Sequence, residues 1–383
     1  MSNVDPQFTV SDLRFKMPLF WDWWKSIDRV LLSLFLSLLA AGLMFSMAAS
    51  PAASAKLGID NPFHFFIRHG LFVSLGLAGA LVLSFFSPLN ARRLGVLALV
   101  GGFVLMLVVF LVGDEVKGAK RWIRIGGFGL QPSEFVKPAF IVFAAWMFSV
   151  KRRDPNVPVL GIVFAVYAVL IALLIKQPDF GQSFLLTCCF AAVFFFAGIS
   201  LGWLVILMGL SALGVVGAYM ALPHVRDRVS RFLDPSGDRF QTNKALDAIS
   251  HGGFLGRGPG EGAIKYSIPD GHTDFIFAVI VEEFGFLISS LLIFLLCSFV
   301  VRAYRNALRL NDYFSQLAVA GLASLIGMQM IINLYVNLNM APPKGMTLPF
   351  ISSGGSSMLS LCFTTGLILA FTRRRAGAYG YEA

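Results

Sequence analysis

Residues 265–285 read KYSIPDGHTDFIFAVIVEEFG and join a polar loop directly to an apolar segment that continues to residue 301. An apolar run of about 20 residues or more is long enough to cross the hydrocarbon core of a bilayer. This run nevertheless begins at Asp274 and contains Glu282 and Glu283. Because ionisable groups are costly at such a boundary, they indicate a functional site.

Similar apolar segments recur along the whole chain. Of its 383 residues, 57% are hydrophobic and 14% are charged, whereas a soluble domain has about 25% charged residues. The sequence therefore predicts an all-α, polytopic integral membrane protein with ten transmembrane helices. The predicted spans are 30–49, 69–87, 95–113, 134–150, 158–175, 181–199, 201–222, 274–301, 314–340 and 355–372.

The basic residues are divided unevenly among the predicted loops. Clusters such as Lys151–Arg153 and Arg373–Arg375 fall on the same side as the N-terminus, and an excess of basic residues marks the cytoplasmic side of a membrane protein. We therefore expect both termini in the cytoplasm. The predicted division of the chain is an N-terminal tail 1–29, a membrane domain 30–372 with a large extracytoplasmic loop 223–273 between helices 7 and 8, and a C-terminal tail 373–383.

The net charge of +10 raises the question of a nucleic-acid partner. The charge lies in short clusters between apolar spans, with no nucleic-acid motif and no continuous basic face. This pattern favours contacts with anionic membrane lipid and excludes nucleic acid as an expected partner. The four cysteines lie inside apolar spans without metal-ligand spacing, which is typical of a packing role.

Asp274 has two interpretations from its position alone. An aspartate at the start of a helix can be an N-terminal cap. The neighbouring His272, Thr273 and Lys265, and the pair Glu282–Glu283 about two turns deeper, favour instead a carboxylate that is tuned for proton abstraction. The residues by themselves leave both interpretations open.

Two polar sets occur near the end of the chain. Asn333 and Asn337 are four residues apart and share one helix face, which favours hydrogen bonds between helices. The segment 342–357 reads PPKGMTLPFISSGGSS. Its glycines and hydroxyls, including Ser356 and Ser357, open a helix and could present donors to a phosphate.

Two further loops each have a simple and a more specific interpretation. The segment 114–133 mixes basic and aromatic residues, including Arg121 and Trp122; it could anchor the chain at the membrane interface or form a cationic rim for an anionic amphiphile. The glycine-rich segment 252–262 could be a mobile or tightly turning loop, or backbone that bends closely around a bulky ligand. Residues 240–249, which precede it, could form a short helix.

A series of motifs carries a family resemblance. The motifs are Gly118–Ile123 (GAKRWI) with Gln131–Glu134 (QPSE), Gln177–Gly181 (QPDFG), Phe232–Pro235 (FLDP), His272–Phe275 (HTDF) with Glu282–Glu283, and Lys344–Ser357 (KGMTLPFISSGGSS). In their order and their coverage of about residues 25–375, they resemble the SEDS family (shape, elongation, division and sporulation). The KGMTLP motif is more similar to the division members than to the elongation members.

The resemblance implies a peptidoglycan glycosyltransferase that polymerises lipid II at the outer face of the bacterial inner membrane, at the division septum. It also implies a class B penicillin-binding protein and other membrane proteins of the divisome as partners. Asp274 matches the essential aspartate of the family. It would act as general base on the 4-hydroxyl of the acceptor, with undecaprenyl pyrophosphate as the leaving group and a β-1,4 linkage as the product.

The resemblance and the polar pattern together define the expected site. The expected substrate-binding residues are Lys265, His272, Thr273, Arg121, Lys344, Ser356 and Ser357, and the expected supporting residues are Glu282, Glu283, Gln131, Glu134 and Asp179. No cofactor is required, although a divalent cation, Mg²⁺ or Mn²⁺, could assist. Three positions depart from the family pattern and put local ligand contacts in question: Gln182, Ser353 and Lys244.

Two other functions fit the same sequence. Ionisable residues inside spans, such as Glu282, Glu283 and Lys137, are also expected along a transport route, so the chain could be a lipid II flippase. A non-catalytic scaffold that recruits the partner enzyme is the third interpretation. The three functions can be distinguished by experiment. The enzyme forms glycan polymer, the flippase moves lipid II across the bilayer without forming polymer, and the scaffold supports normal division when Asp274 is replaced by Asn.

Overall fold

The computed structural model describes residues 18–116, 119–126, 128–199, 240–343 and 345–374, together with isolated positions between 202 and 226. These residues are mostly helical, and seven of the helices are long and apolar enough to cross a membrane. The chain is therefore a multi-pass membrane protein. The helices are α1 Pro18–Ser26, α2 Arg29–Lys56, α3 His64–Ser84, α4 Pro88–Val112, α5 Pro132–Arg153, α6 Val159–Lys176, α7 Phe180–Phe196, α8 Phe240–Gly252, α9 Ile276–Arg309, α10 Tyr313–Asn337 and α11 Gly355–Phe371, with a 3₁₀ turn at Ile264–Tyr266.

Every predicted span except 201–222 coincides with a helix of the structure. Helices α7 and α11 are apolar but shorter than the seven long ones. Apart from isolated positions, the span 201–222 lies outside the described residues. The expected tight hairpin with 181–199 and the number of ten transmembrane helices therefore stay predictions. The short helix expected at 240–249 is present as α8.

The segment 114–130 contains a three-stranded antiparallel sheet, which corrects the all-α class. Its strands are β1 Asp114–Val116, β2 Ala119–Ile125 and β3 Phe128–Leu130, in the order β1-β2-β3. Gly126, at φ +56°, forms the turn between β2 and β3. Trp122 and Ile123 belong to the residue types that favour strands, but the strands are much shorter than the apolar runs that mark membrane spans.

Helices α5 and α10 form the centre of the bundle, and most of their side chains are buried. Around them α4 packs on α5, α9 packs on α10, and α3 packs on α11. The outer helices keep apolar side chains on their exposed faces, for example Leu97 and Leu111 on α4, the latter 82% exposed. Exposed leucines of this kind are expected where lipid is the solvent.

Helix α9 is broken at Gly285, whose φ of 77° and ψ of 176° are not helical. The break frees backbone groups that a continuous helix would pair, and an unpaired group in apolar surroundings is costly. On the C-terminal side of the break, the amide of Phe286 donates to the carbonyl of Gly253 at 3.0 Å, and that of Leu287 donates to the carbonyl of Phe254 at 3.3 Å. The glycine-rich loop therefore takes the place of the missing helical turn.

The same loop pairs the N-terminal side of the break. The amide of Arg257 donates to the carbonyl of Glu282 at 2.9 Å, and the amide of Gly258 donates to that of Glu283 at 3.0 Å. Four hydrogen bonds thus join residues 253–258 to both sides of the break. Gly252 and Gly256 are needed for this close packing, because a Cβ on them would lie 2.0 Å from the carbonyl oxygen of Val281 and 2.2 Å from that of Glu283. Neither interpretation of this loop anticipated such packing on a helix.

We predict that Gly285→Ala destabilises the protein. A Cβ at this residue would lie 2.4 Å from the Gly256 nitrogen, and its positive φ strains any other side chain, at about 1–3 kcal/mol. The thermal unfolding midpoint of the detergent-solubilised chain should fall. Gly79→Ala is the matched control, because a Cβ at that helical glycine of α3 meets open space. A Gly285→Ala protein as stable as the Gly79→Ala protein would contradict this description of the break.

Candidate active site

The HTD segment, His272–Asp274, is fixed through its backbone. The carbonyl of His272 accepts a hydrogen bond from the amide of Ser353 at 3.0 Å. The carbonyl of Thr273 accepts one from the hydroxyl of Ser352 at 2.6 Å. The turn that precedes α9 is thereby tied to the loop that precedes α11, although about 80 residues separate them in the chain.

The carbonyl of Asp274 is held by two amides of α10. The Nδ2 atoms of Asn333 and Asn337 donate to it at 2.8 and 3.0 Å. Asn333 also donates to the carbonyl of Met346 at 2.7 Å, and Asn337 accepts from the amide of Ala278 at 3.2 Å. The predicted hydrogen bonding between helices is confirmed, but its target, the backbone of the candidate base, was missed from the sequence.

The side chain of Asp274 is half-buried and faces the loop before α11. A Cβ added to Gly345 would lie 3.8 Å from Oδ2 of Asp274. Helix α9 begins at Ile276 and its N-cap residue is Phe275. Asp274 therefore lies one residue before the cap position, which weakens its interpretation as the helix cap.

His272 and Arg68 lie on another side of the same turn. The ring of His272 lies 4.3 Å from that of Phe65, centre to centre. Burial lowers the pKa of His272 to about 4, and the charge of Arg68 acts in the same direction; the imidazole is therefore neutral at pH 7. The guanidinium of Arg68 lies 5.9 Å from the ring centres of both Phe72 and Phe128. Arg68 was missed as a site residue, because the sequence shows only a basic residue at the end of a span.

Lys265, Glu282 and Glu283 form what we term the loop clamp. Lys265 is only 3% exposed, and its ammonium forms an ion pair with Oε1 of Glu283. The other oxygen of Glu283 accepts from the amide of Gly260 at 3.1 Å. Glu282 accepts from the amides of Ile264 and Lys265 at 2.7 and 2.9 Å. This geometry favours a structural role for Lys265, which the sequence suggested as a substrate ligand.

We predict that Lys265→Ala lowers stability and activity together. It leaves the Glu283 carboxylate buried without its cation, and breaking a buried ion pair costs about 3–5 kcal/mol. Folded yield and the thermal unfolding midpoint report this loss. The double variant Lys265→Met/Glu283→Gln removes both charges and should recover much of the stability.

The exposed pair Lys244–Asp247, at 3.2 Å, supplies the control for that experiment. Lys244→Ala should change stability by less than about 1 kcal/mol, because exposed pairs contribute little. A Lys265→Ala protein that folds like the wild type and loses only turnover would overturn the structural assignment.

A second group of predicted residues surrounds Asp179, between α6 and α7. Arg121 on β2 donates through Nε to the carbonyl of Gln177 at 2.8 Å and through Nη2 to that of Pro178. Its Nη1 lies 3.8 Å from Oδ1 of Asp179. Gln131 donates to Oδ2 of the same carboxylate at 3.2 Å. Arg121 is thus already paired with protein oxygens, which ties the sheet to the start of α7.

Glu134 lies deeper in the same region. Lys137 donates to its Oε2 at 2.9 Å, and Gln182 donates to its Oε1 at 2.6 Å. The hydroxyl of Ser360 donates to the carbonyl of Glu134 at 2.7 Å. The side-chain oxygen of Gln182 also accepts from Lys137. This glutamine, a departure from the family pattern, therefore contacts both members of a buried ion pair.

The two predicted serines of α11 are engaged with the protein. Ser356 donates to the carbonyl of Gly129 at 2.8 Å and accepts from the amide of Gln131 at 3.0 Å. The hydroxyl of Ser357 lies 2.6 Å from that of Thr347. These contacts fasten the start of α11 to the sheet and to the preceding loop.

Two expectations remain without a geometry. Lys344 lies outside the described residues. No group of three or more His, Cys, Asp and Glu side chains converges in the part of the chain that the structure describes. The described residues therefore single out no such cluster for the suggested Mg²⁺ or Mn²⁺, and we assign no step to it.

Comparison with known proteins places this arrangement in a family. The family model for FtsW, RodA and SpoVE, described as cell cycle proteins, matches residues 28–376. The chain belongs to this family. A probable peptidoglycan glycosyltransferase FtsW of Caulobacter vibrioides is 45% identical over 359 residues, which cover 94% of this chain and 92% of that protein. The stage V sporulation protein E of Bacillus subtilis is 33% identical over 91% of this chain and 97% of its own length.

Solved structures agree with the family assignment. A chain of a peptidoglycan synthase complex, described for its coordination of polymerization and crosslinking, matches with a TM-score of 0.73 and 28% identity over 90% of this chain and 97% of its own. The rod shape determining protein RodA of Thermus thermophilus matches with a TM-score of 0.67 and 26% identity, over 91% of this chain and 97% of its own. The predicted SEDS resemblance is therefore confirmed, and the relative named FtsW agrees with the division branch.

Proposed function

We propose that this chain is a peptidoglycan glycosyltransferase that polymerises lipid II during septal wall synthesis, at the outer face of the bacterial inner membrane. The enzyme class is supported by the family and by relatives that carry this name. One observation supports the site best. Asp274 lies in the HTD family motif, and its carbonyl accepts hydrogen bonds from Asn333 and Asn337.

The proposed reaction is a single displacement. The 4-hydroxyl oxygen of the acceptor sugar attacks the anomeric carbon of the donor, and the bond from that carbon to the pyrophosphate oxygen breaks. Asp274 takes the hydroxyl proton as the new bond forms. Attack from the face opposite the leaving group inverts the anomeric carbon and gives a β-1,4 linkage. Undecaprenyl pyrophosphate leaves as an anion, so one carboxylate suffices where glycosidases use two.

The developing phosphate charge needs a cation. Arg68 is the described candidate, because it lies near His272 and is placed against two aromatic rings. Lys344, in the motif before α11, is the second candidate. The engagement of Arg121 and Lys265 by protein oxygens makes them supports of the site in this proposal.

The proposed partner is a class B penicillin-binding protein of the divisome. The matching chain from a complex of polymerization and crosslinking supports an assembly of this kind. The distribution of basic residues supports a topology with both termini in the cytoplasm and the 223–273 loop outside, where lipid II and the partner's catalytic domain would be reached.

Removing the proposed base tests the reaction directly. Asp274→Asn should lower polymerisation of labelled lipid II by the chain with its partner by about 10²-fold or more, since general base catalysis contributes about 10²–10⁴-fold. Gel separation of the glycan products measures this. Asp247→Asn makes the same charge change on the exposed face of α8 and should leave the rate unchanged. Near-normal polymerisation by well-folded Asp274→Asn protein would remove Asp274 from the mechanism.

The flippase is the second candidate function. The flippase hypothesis rests on the ionisable residues inside the predicted spans. In the structure Lys137 pairs with Glu134, and Glu283 pairs with Lys265, so these residues also have a structural explanation. Vesicles separate the two functions. Transbilayer movement of lipid II without polymer would favour transport, and normal division of Asp274→Asn cells would favour the scaffold.

Asn337 holds the backbone of the proposed base and can be tested separately from it. Asn337→Ala should lower kcat by on the order of 10-fold and leave KM within about threefold, because it displaces the base more than the substrate pockets. Steady-state polymerisation kinetics measure this split. Ser289→Ala, which removes a buried hydroxyl from α9 that bonds only to the carbonyl of Gly285, controls for general packing loss. Equal losses of kcat in both variants would contradict a specific role for Asn337.

A further inference from the structure

A cavity of about 660 Å³ opens at the end of the bundle remote from Asp274. It lies where α5 and α7 end and α10 begins, whereas Asp274 precedes the start of α9, which runs back to this end. Its volume is within the roughly 300–1,000 Å³ of pockets that hold small ligands. It is separate from every residue assigned to polymerisation.

The walls of the cavity combine aromatic and cationic side chains. Phe148 and Phe196 supply apolar surface, and Lys151 and Arg152 supply two positive charges. Helices of this length reach the membrane interface at their ends. A cavity at these helix ends is therefore expected at the level of the lipid headgroups.

No carboxylate lines this cavity among the residues that the structure describes. The two acidic residues nearest in the chain to the lining residues, Asp154 and Asp312, accept hydrogen bonds from residues two or three positions away. Asp154 accepts from the amide of Asn156 at 3.1 Å, and Asp312 accepts from the amide and hydroxyl of Ser315 at 3.1 and 2.6 Å. Among the described residues, the two cations therefore line the cavity without a carboxylate beside them.

The guanidinium of Arg152 is oriented before any ligand arrives. Its central carbon lies 4.5 Å from the ring centre of Tyr313. The hydroxyl of Tyr313 donates to the carbonyl of Ala197 at 2.9 Å, which fixes the ring. A cation that is stacked on an aromatic ring keeps its outward N–H groups for an anion.

We propose that this cavity binds the phosphate headgroup of an anionic membrane phospholipid, such as phosphatidylglycerol or cardiolipin. Basic pockets between transmembrane helices at the membrane surface have this use. Two cations match the one or two negative charges of these lipids. A soluble phosphate has no apolar part that could contact the rings of Phe148 and Phe196. A phospholipid has one, so the lipid is the better occupant.

The test is lipid binding by the full-length chain, purified in neutral detergent and titrated with phosphatidylglycerol or phosphatidylcholine under native mass spectrometry. The wild type should retain phosphatidylglycerol about tenfold or more over phosphatidylcholine, because two cations attract the anionic headgroup. Lys151→Gln/Arg152→Gln should remove that preference. Arg153→Gln makes the same kind of change one residue further along α5, outside the lining, and should keep it.

Three results would overturn the proposal. The first is equal binding of the two phospholipids by the wild type. The second is an unchanged preference in the double variant, with its thermal unfolding midpoint as the check of folding. The third is displacement of phosphatidylglycerol by equimolar undecaprenyl phosphate, which would assign the cavity to a polyprenyl lipid. Partial retention by Arg152→Lys would further support a charge-based site.

Discussion

The broken helix at Gly285 is the constraint on which the outer part of the structure depends. A transmembrane helix that stops its own hydrogen-bond pattern must find other partners for its backbone. Here residues 253–258 supply them on both sides of the break. The loop clamp then holds the following turn, through Glu282 and Glu283, to the same half of α9. Residues 253–265 are thereby a fixed part of the bundle.

The segment that contains Asp274 follows the loop clamp in the chain. It is hydrogen-bonded to α10 and to the loop before α11. The three carbonyls of the HTD segment accept from Ser353, Ser352, and the two asparagines of α10. These contacts fix the backbone of the segment that carries the Asp274 carboxylate. Most buried charges elsewhere in the described bundle are paired, so their contribution is to hold elements in place. A reaction that needs one base and a cation for the leaving group fits such a site.

The sequence predicted most of the apolar spans and the family, because long hydrophobic runs and family motifs are local signals. The catalytic role of Asp274 stays a prediction. The sequence did not predict the break at Gly285, since a lone glycine inside an apolar run is common in membrane helices. The sequence also did not predict the ion pair of Lys265 or the closeness of Arg68 to the HTD segment. Both depend on which segments, distant in the chain, pack together. The sheet at 114–130 was missed because its strands are too short for a periodic signal.

Amide hydrogen exchange of the wild-type chain tests the central claim, that the glycine-rich loop is a fixed part of the framework around Asp274. The structure gives hydrogen-bond acceptors to the amides of Arg257, Gly258, Gly260, Ile264 and Lys265. We predict that these amides exchange about as slowly as those of the first half of α9, since they open only with it. Exchange at the rate of an unstructured loop, with α9 still protected, would contradict the account.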